Sequence, residues 1–329
     1  MTNLDLDHSP PDDLAFRELV VAAAAPVATD IVHYVLVDPA GGELPPFEPG
    51  AHIPVRTPAG VVRRYSLCGD PAVTDRYEIA VKRDAAGRGG SASMADVLVE
   101  GARLAVASPR NEFELHPRAR RFLFIAGGIG ITPMMSMMRH LAGTGGPPFV
   151  LHYCTRSAEH TAFAEALAEE PFAGRVHLHH DHGDPAQAFD FWPLLEKPQA
   201  GTHIYCCGPR GLMDAVRDMS GHWAMGSVHF ESFGVDAALR RQDHPFKVKL
   251  ARSDSTLDIP ADRSILEVLH EHGVKVRSSC EAGSCGTCRT GLLEGEAEHR
   301  DFVLGPDEHA TQIMVCVSRA RSETLALDL

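Results

Sequence analysis

The stretch SSCEAGSCGTC, residues 278–288, puts three of the chain's eight cysteines within nine residues, and Cys316 follows after 27 intervening residues. Cys280-x4-Cys285-x2-Cys288 with a distant fourth cysteine is the plant-type [2Fe–2S] spacing. Four thiolates around two irons carry net negative charge, which backbone N–H groups aimed at the sulfurs relieve. Gly283 and Gly286 let a backbone curl that closely, and Ser284 and Thr287 keep the loop small. A structural zinc site would usually bring two C-x2-C knuckles, and only one such pair is present. Zinc therefore stands as the alternative reading, in which the chain is a metal-stapled binding protein and not an enzyme. Cys68, Cys154 and Cys206 sit at apolar strand ends and read as small core residues.

Outward from that loop, the 329 residues divide into three blocks of about a hundred residues each. Hydrophobic residues at 44% and charged residues at 23% describe a globular chain. A formal charge of −13 argues against nucleic acid as a partner. No apolar run reaches membrane-spanning length, and MTNLDLDHSPPDDLAF lacks an export signal's basic and apolar regions. The expectation is a cytoplasmic protein without a membrane partner, in which clustered thiols mean metal or catalysis more often than disulfides.

Residues 16–115 read as short alternating strands punctuated by Gly, Pro and Asp, the pattern of a small β-barrel or sandwich. From RRFLFIAGGIGITPMM onward, apolar strands alternate with helical segments, which indicates a parallel α/β sheet. Past a polar linker, block 245–329 opens with two strands and the helix SILEVLHEHG, with Asp262 or Ser264 as its N-cap and Gly273 as its stop.

Two turns in the middle block carry chemistry. Gly127, Gly128 and Gly130 follow a buried strand and precede a helix, so backbone amides there can approach a pyrophosphate. Thr132 is placed to cap that helix, with Pro133 in its first turn. The string is not G-x-G-x-x-G, and a merely structural turn is its lesser alternative reading. A second strand ends in Cys207-Gly208-Pro209, and two small-residue strand ends in one parallel sheet line a nucleotide crevice. Arg156 and Ser157 follow another strand, near where an adenosine ribose would lie; a solvated loop charge is the bland alternative for Arg156. In the first block, alternation sends Arg63 and Tyr65 to one face and Ser66 to the other. These residues suit a phosphate, a flat ring and a ring nitrogen respectively. Lys82, Arg83 and Arg88 surround Gly89, Gly90 and Ser91 in a flexible basic loop suited to a phosphate, although an ordinary hairpin turn reads the same way.

The segments RRYSL (63–67), AVKRDAAGRGGS (80–91), SPRNEFEL (108–115), AGGIGITPM (126–134), CGPRGLM (207–213), HFESF (229–233) and the cysteine loop with CVSRARS (316–322) run through almost the whole chain. In that order they resemble the phthalate dioxygenase reductase family, close to the reductase components of vanillate O-demethylases. The resemblance implies a multidomain α+β and α/β fold. Residues 1–115 would form a Greek-key β-barrel flavin domain and 116–234 a ferredoxin–NADP reductase-like parallel α/β nicotinamide domain. A linker, 235–244, would lead to a C-terminal β-grasp ferredoxin domain, 245–329.

By the same resemblance Arg63, Tyr65, Ser66, Lys82, Gly89, Gly90 and Ser91 hold FMN. Gly127, Gly128, Gly130, Thr132, Arg156, Cys207, Gly208 and Pro209 serve NADH, and Arg156 leaves NADPH open. Ser66, Cys207 and Phe233 stand at the hydride-transfer site, while Cys280, Cys285, Cys288 and Cys316 hold the [2Fe–2S] cluster. The implied partner is a terminal oxygenase of Rieske type, with a cytochrome P450 as the alternative. Arg277 departs from the family, which often has proline there, and so does the residue after Ser91. Neither change removes a ligand.

Overall fold

The computed structural model describes residues 14–85, 87, 89–234 and 242–329. They form two compact units, Ala15–Glu231 and one built on Ser232–Leu329.

The first unit begins with β1 (Phe16–Ala28), β2 (Ile31–Val37), β3 (His52–Arg56), β4 (Val62–Ser66), β5 (Arg76–Lys82) and β6 (Arg103–Ala107), in the sheet order β4-β3-β6-β1-β2-β5. The two ends of this order meet through a bridge between Leu67 and Ile79 and a 2.9 Å bond from the Cys68 N–H to the Glu78 carbonyl, closing the sheet into a barrel. Alternate residues face inward, so Leu19, Val21, Tyr34, Leu36, Ile53, Val55, Ile79 and Val106 make one core. Helix α1 (Gly90–Val97) follows β5 and is absent from the strand-only expectation, because GSASMADV has neither a polar cap nor a strong apolar stripe.

The same unit continues with β7 (Arg121–Gly127), α2 (Ile131–Thr144), β8 (Phe149–Thr155), α3 (Ala164–Ala168), β9 (Val176–His180), α4 (Trp192–Leu195), β10 (Thr202–Cys207), α5 (Arg210–Met219) and β11 (Val228–Glu231). The five strands are parallel in the order β11-β10-β7-β8-β9. The order reverses at β7, so the crevice between β7 and β10 is the switch point at which open α/β sheets bind ligands. The barrel is fastened to this sheet through α2. The Gly50 N–H donates to Ser136 Oγ at 3.0 Å, and Arg139 reaches the Cys68 carbonyl at 2.9 Å and Glu78 Oε2 at 3.2 Å.

The second unit holds β12 (Phe246–Leu250), β13 (Ser255–Ile259), α6 (Ile265–Glu271), β14 (Arg289–Glu294), β15 (Ala297–Glu298), β16 (Gln312–Met314), β17 (Arg319–Ala320) and β18 (Thr324–Leu327). The main sheet runs β13-β12-β18-β14-β16, with β18 parallel to β12. Of the two expected caps for α6, Ser264 is the one used: its side chain accepts from the Glu267 N–H, and Glu267 returns to the Ser264 N–H. Helix α6 buries Ile265, Leu266, Val268 and Leu269 against the sheet. Of the expected linker, residues 235–241 lie outside the described residues. The side chain of Asp243 is 6% exposed, accepting from Arg300 at 2.6 Å with Arg319 Nε 3.7 Å away. Among the described residues no helix is long and apolar enough to cross a membrane.

Candidate functional site

In the cysteine loop, Glu281, Gly283 and Gly286 take positive φ values of 51°, 76° and 82°, folding residues 280–288 tightly around their own side chains. The N–H groups of Ala282, Ser284 and Cys285 converge on Cys280 Sγ, each at 3.4 Å, and the Cys280 N–H points at Cys285 Sγ at 3.4 Å. A Cβ on Gly283 would lie 2.7 Å from Val317 and 3.1 Å from the Asp301 Cα, so only glycine fits there. The Gly283 carbonyl accepts from the Phe302 N–H at 2.9 Å, which pins the loop to the following segment.

The four thiols act on one another: the Cys280 contact lowers Cys285 and the Cys316 contact lowers Cys288, while Cys280 and Cys316 are pushed up, and Cys280 also acts on both Cys288 and Cys316. Among the described residues, no three His, Cys, Asp or Glu side chains converge on one point as a single metal ion requires. Two thiolates on each of two centres is the donor set of [2Fe–2S], and amides aimed at sulfur are what an anionic cluster needs.

At the switch point the two glycine turns touch. A Cβ on Gly130 would lie 2.1 Å from the Cys207 carbonyl oxygen, one on Gly127 2.5 Å from Pro209, and one on Gly208 2.9 Å from the Gly127 backbone. The resulting crevice is walled by backbone. Thr132 does not cap α2: it is the second helical residue, and its hydroxyl donates back to the Ile129 carbonyl at 3.0 Å. Buried in the turn, it cannot reach forward to an amide. The turn Gly128–Gly130 is a 3-10 turn that runs straight into α2, with the Ile131 N–H donating to the Gly128 carbonyl, so the helical start that can face an anion is the glycine turn itself. Arg156, beyond the end of β8, is exposed.

On β4, Tyr65 pairs with Ile53 and Arg63 with Val55, while Ser66 pairs with His52, so the expected alternation of faces is observed. Gly90 lies beside Arg63: a Cβ there would be 3.1 Å from Arg63 Cγ. This places the start of α1, with Gly89 at φ 81°, next to that guanidinium. Ser91 Oγ accepts from the Asp84 N–H at 3.1 Å, and Lys82 is exposed at the end of β5. Arg88, named in the basic loop, lies outside the described residues.

Tyr65 Oη and His52 Nε2 are buried without a hydrogen-bond partner, and burial raises the Tyr65 hydroxyl and pushes His52 down to about 3. A buried orphan hydroxyl costs free energy that an additional polar group would recover. Together with Arg63 and the start of α1, it fits a phosphorylated aromatic cofactor.

Glu231 is a residue that sequence reasoning missed. Strand pairing sets it opposite Cys207, and Ser66 Oγ donates to its Oε2 at 3.4 Å. The motif HFESF contained it, but only the parallel register of β11 on β10 shows what it faces. Cys207 is fully buried, and burial together with the Glu231 carboxylate raises its thiol far above the ordinary range, so it is not a thiolate nucleophile. Phe233 belongs to the second unit and is half exposed.

The family model for the 2Fe-2S iron-sulfur cluster binding domain matches residues 248–321, which hold all four of these cysteines. The chain is 56% identical over 317 residues to the phthalate 4,5-dioxygenase oxygenase reductase subunit of Pseudomonas putida, covering 96% of this chain and 98% of that one. The chain belongs to the phthalate dioxygenase reductase family. The solved phthalate dioxygenase reductase, described as passing electrons from pyridine nucleotides to [2Fe-2S], superposes with a TM-score of 0.77 at 53% identity, covering 98% of this chain and 100% of that one. A vanillate O-demethylase oxidoreductase of a Pseudomonas strain is 41% identical over 316 residues, covering 95% and 99% of the two chains. A type IV self-sufficient cytochrome P450 monooxygenase matches with a TM-score of 0.68 at 37% identity over 95% of this chain and 41% of its own. Members of the phthalate dioxygenase reductase family are oxidoreductases, and so is this chain.

Proposed function

We propose that this protein is the reductase component of a two-component oxygenase, taking electrons from NADH and delivering them singly to a terminal oxygenase of Rieske type. The observation that carries the reading is the tightly wound loop 280–288, in which the Ala282, Ser284 and Cys285 amides converge on Cys280 Sγ. FMN, when bound, accepts the hydride's two electrons together and releases them one at a time, which an iron–sulfur centre requires. Arg63, the start of α1 and the Gly89–Ser91 loop with Lys82 hold its phosphate, and Tyr65 packs on its ring. Gly127, Gly128 and Gly130 bring the backbone of the turn that opens α2 to the NADH pyrophosphate. Thr132 keeps that turn closed, Cys207-Gly208-Pro209 floors the nicotinamide site, and Arg156 stands at the ribose. Phe233 is assigned to nicotinamide access.

Hydride transfer needs no side-chain acid, so these residues act by positioning. A hydride brings a proton equivalent that the cluster does not take. The 3.4 Å Ser66 Oγ to Glu231 Oε2 contact gives that proton a way out. In this reading residues 1–115, 116–234 and 245–329 are the flavin, nicotinamide and ferredoxin domains, with 235–244 between them.

Cys285→Ser tests the relay. Cytochrome c reduction should fall at least a hundredfold, while NADH-driven ferricyanide reduction stays within about twofold. Cytochrome c activity surviving intact would overturn the order of the centres. A second acceptor class has its own support, since the chain's full length is similar to part of a self-sufficient P450. Reduction of a purified P450 at a rate equal to that of a Rieske oxygenase would favour it.

A further inference from the structure

Tyr205 and Cys207 on β10 face the same side of the sheet as His229 and Glu231 on β11, with Tyr205 opposite His229 and Cys207 opposite Glu231. Upstream on that face, His203 completes a column of rings. His116 stacks on His203 with centroids 4.1 Å apart, His203 on His229 at 5.3 Å, and His229 on Tyr205 at 4.4 Å. His203 Nδ1 and His229 Nε2 are 3.0 Å apart, close enough to share a single proton. The column also ties down the segment between barrel and sheet: Tyr205 Oη donates to the Glu114 carbonyl at 2.7 Å and accepts from the His116 N–H at 2.8 Å. His116 Nδ1 accepts from the Arg118 N–H at 3.3 Å.

Strand β11 is a four-residue edge strand, paired on one side only. Its side chains therefore carry much of its anchoring, and His229 lies two residues before Glu231 on the same face. We propose that His229, held between His203 and Tyr205, is a positioning residue that keeps Glu231 on Ser66, and that protonation of the His203–His229 pair releases it.

A proton on the accepting nitrogen abolishes the 3.0 Å bond, and one on the donor's outer nitrogen packs a cation between His116 and His229. The groups that touch the pair are His116 from the connecting segment and Tyr205 from β10, while the Arg118 N–H and the Glu114 carbonyl enter only through their bonds to His116 and Tyr205, and Glu231 lies two residues beyond His229 on the same face. Burial holds both rings in the neutral form, His229 at about 4, so the column is closed at neutral pH and opens in acid.

The inference rests on the role proposed above for Glu231, and the test separates the two. Single-turnover reduction of bound flavin by NADH is followed in the holoenzyme from pH 7.5 to 4.0, alongside hydrogen exchange of the amides of residues 228–231. Wild type should lose at least twofold in rate across this range, with exchange of β11 accelerating beyond the intrinsic pH effect. His229→Phe keeps the stacking but cannot take a proton, so both changes should be absent when each variant is referred to its own value at pH 7.5. Glu231 remains in both proteins, so its own titration cancels. Equal profiles in wild type and His229→Phe would overturn the inference. Wild type that fails to reduce flavin at pH 7.5 would instead overturn the proposed function. Should His229→Phe not fold, His203→Phe makes the same comparison.

Discussion

A methyl group at Gly130 would fall 2.1 Å from the Cys207 carbonyl oxygen and 2.5 Å from its carbon, contacts that only a backbone shift can relieve. At Gly128 a methyl meets open space, and the strain is only that of φ 52°. Gly130→Ala should therefore cost about 1–3 kcal/mol, typical of overpacking, and Gly128→Ala about 1–2 kcal/mol. NADH affinity, read by titration of the holoenzyme, should fall further in Gly130→Ala, because the displaced backbone is the crevice wall. The glycines were legible in the sequence. That the two turns touch was not, because contact follows from the strand order around β7 and no local pattern encodes it.

Tyr65 gives a second prediction at this scale. Its hydroxyl lacks a partner in the protein alone, so Tyr65→Phe should leave the melting temperature of the flavin-free protein unchanged or slightly raised. FMN affinity should fall by up to about tenfold, one hydrogen bond's worth, as measured by quenching of flavin fluorescence.

At the scale of elements, the fastening of β5 and β2 to α2 depends on Glu78. Arg139 Nη1 and His33 Nε2 both lie 3.2 Å from Glu78 Oε2, and the His33 contact, then Arg139, holds its carboxyl down to about 2. Arg139→Met should cost roughly 2 kcal/mol, the scale of a hydrogen bond to a charged group. A carboxylate with a depressed pKa contributes stability that is complete above the ordinary value of 4.5 and lost as pH falls toward about 2.

Buried histidines act earlier in acid. Burial lowers His52 to about 3 and His152 to about 4, from 6.5. The unfolded chain then binds more protons than the folded one below about 6.5, so stability is full above that value and declines toward pH 4. Melting temperature against pH should fall from about pH 6.5 in wild type, and His152→Phe should reduce that early fall while leaving the Glu78 step below 4.5. The elements themselves were mostly readable. The barrel strands alternate, the apolar runs mark the parallel sheet, and Ser264 with Glu267 spells a capping box. The segment TAFAEALAEE, 161–170, is helical only over Ala164–Ala168, which Phe163 enters at φ 61°. Helix α1 escaped because its eight residues are too short for periodicity to register.

For the whole molecule, the division into Ala15–Glu231 and a unit built on Ser232–Leu329 means two cores and two sources of stability. The ferredoxin core, with Phe246, Val248, Ile259, Leu269, Ile313 and Leu325, also includes Cys288 and Cys316, two of the four proposed cluster ligands. A cluster bound through those cysteines stabilises only that unit, since a group that binds the folded form and not the unfolded one shifts only the equilibrium it is linked to. Arg300 raises the stakes within the same unit: its side chain is 5% exposed and paired with Asp243 and Glu298, and an arrangement this dry is costly to half-dismantle. Calorimetry of the intact protein should resolve two transitions. Iron depletion should lower the ferredoxin transition by more than about 10 °C, several kcal/mol on a domain of this size, while the other moves by less than about 2 °C. Arg300→Met should shift the same transition as iron depletion does, by about 3 kcal/mol, without touching NADH-driven ferricyanide reduction. A single transition that moved as a whole in either sample would mean that the two cores unfold together.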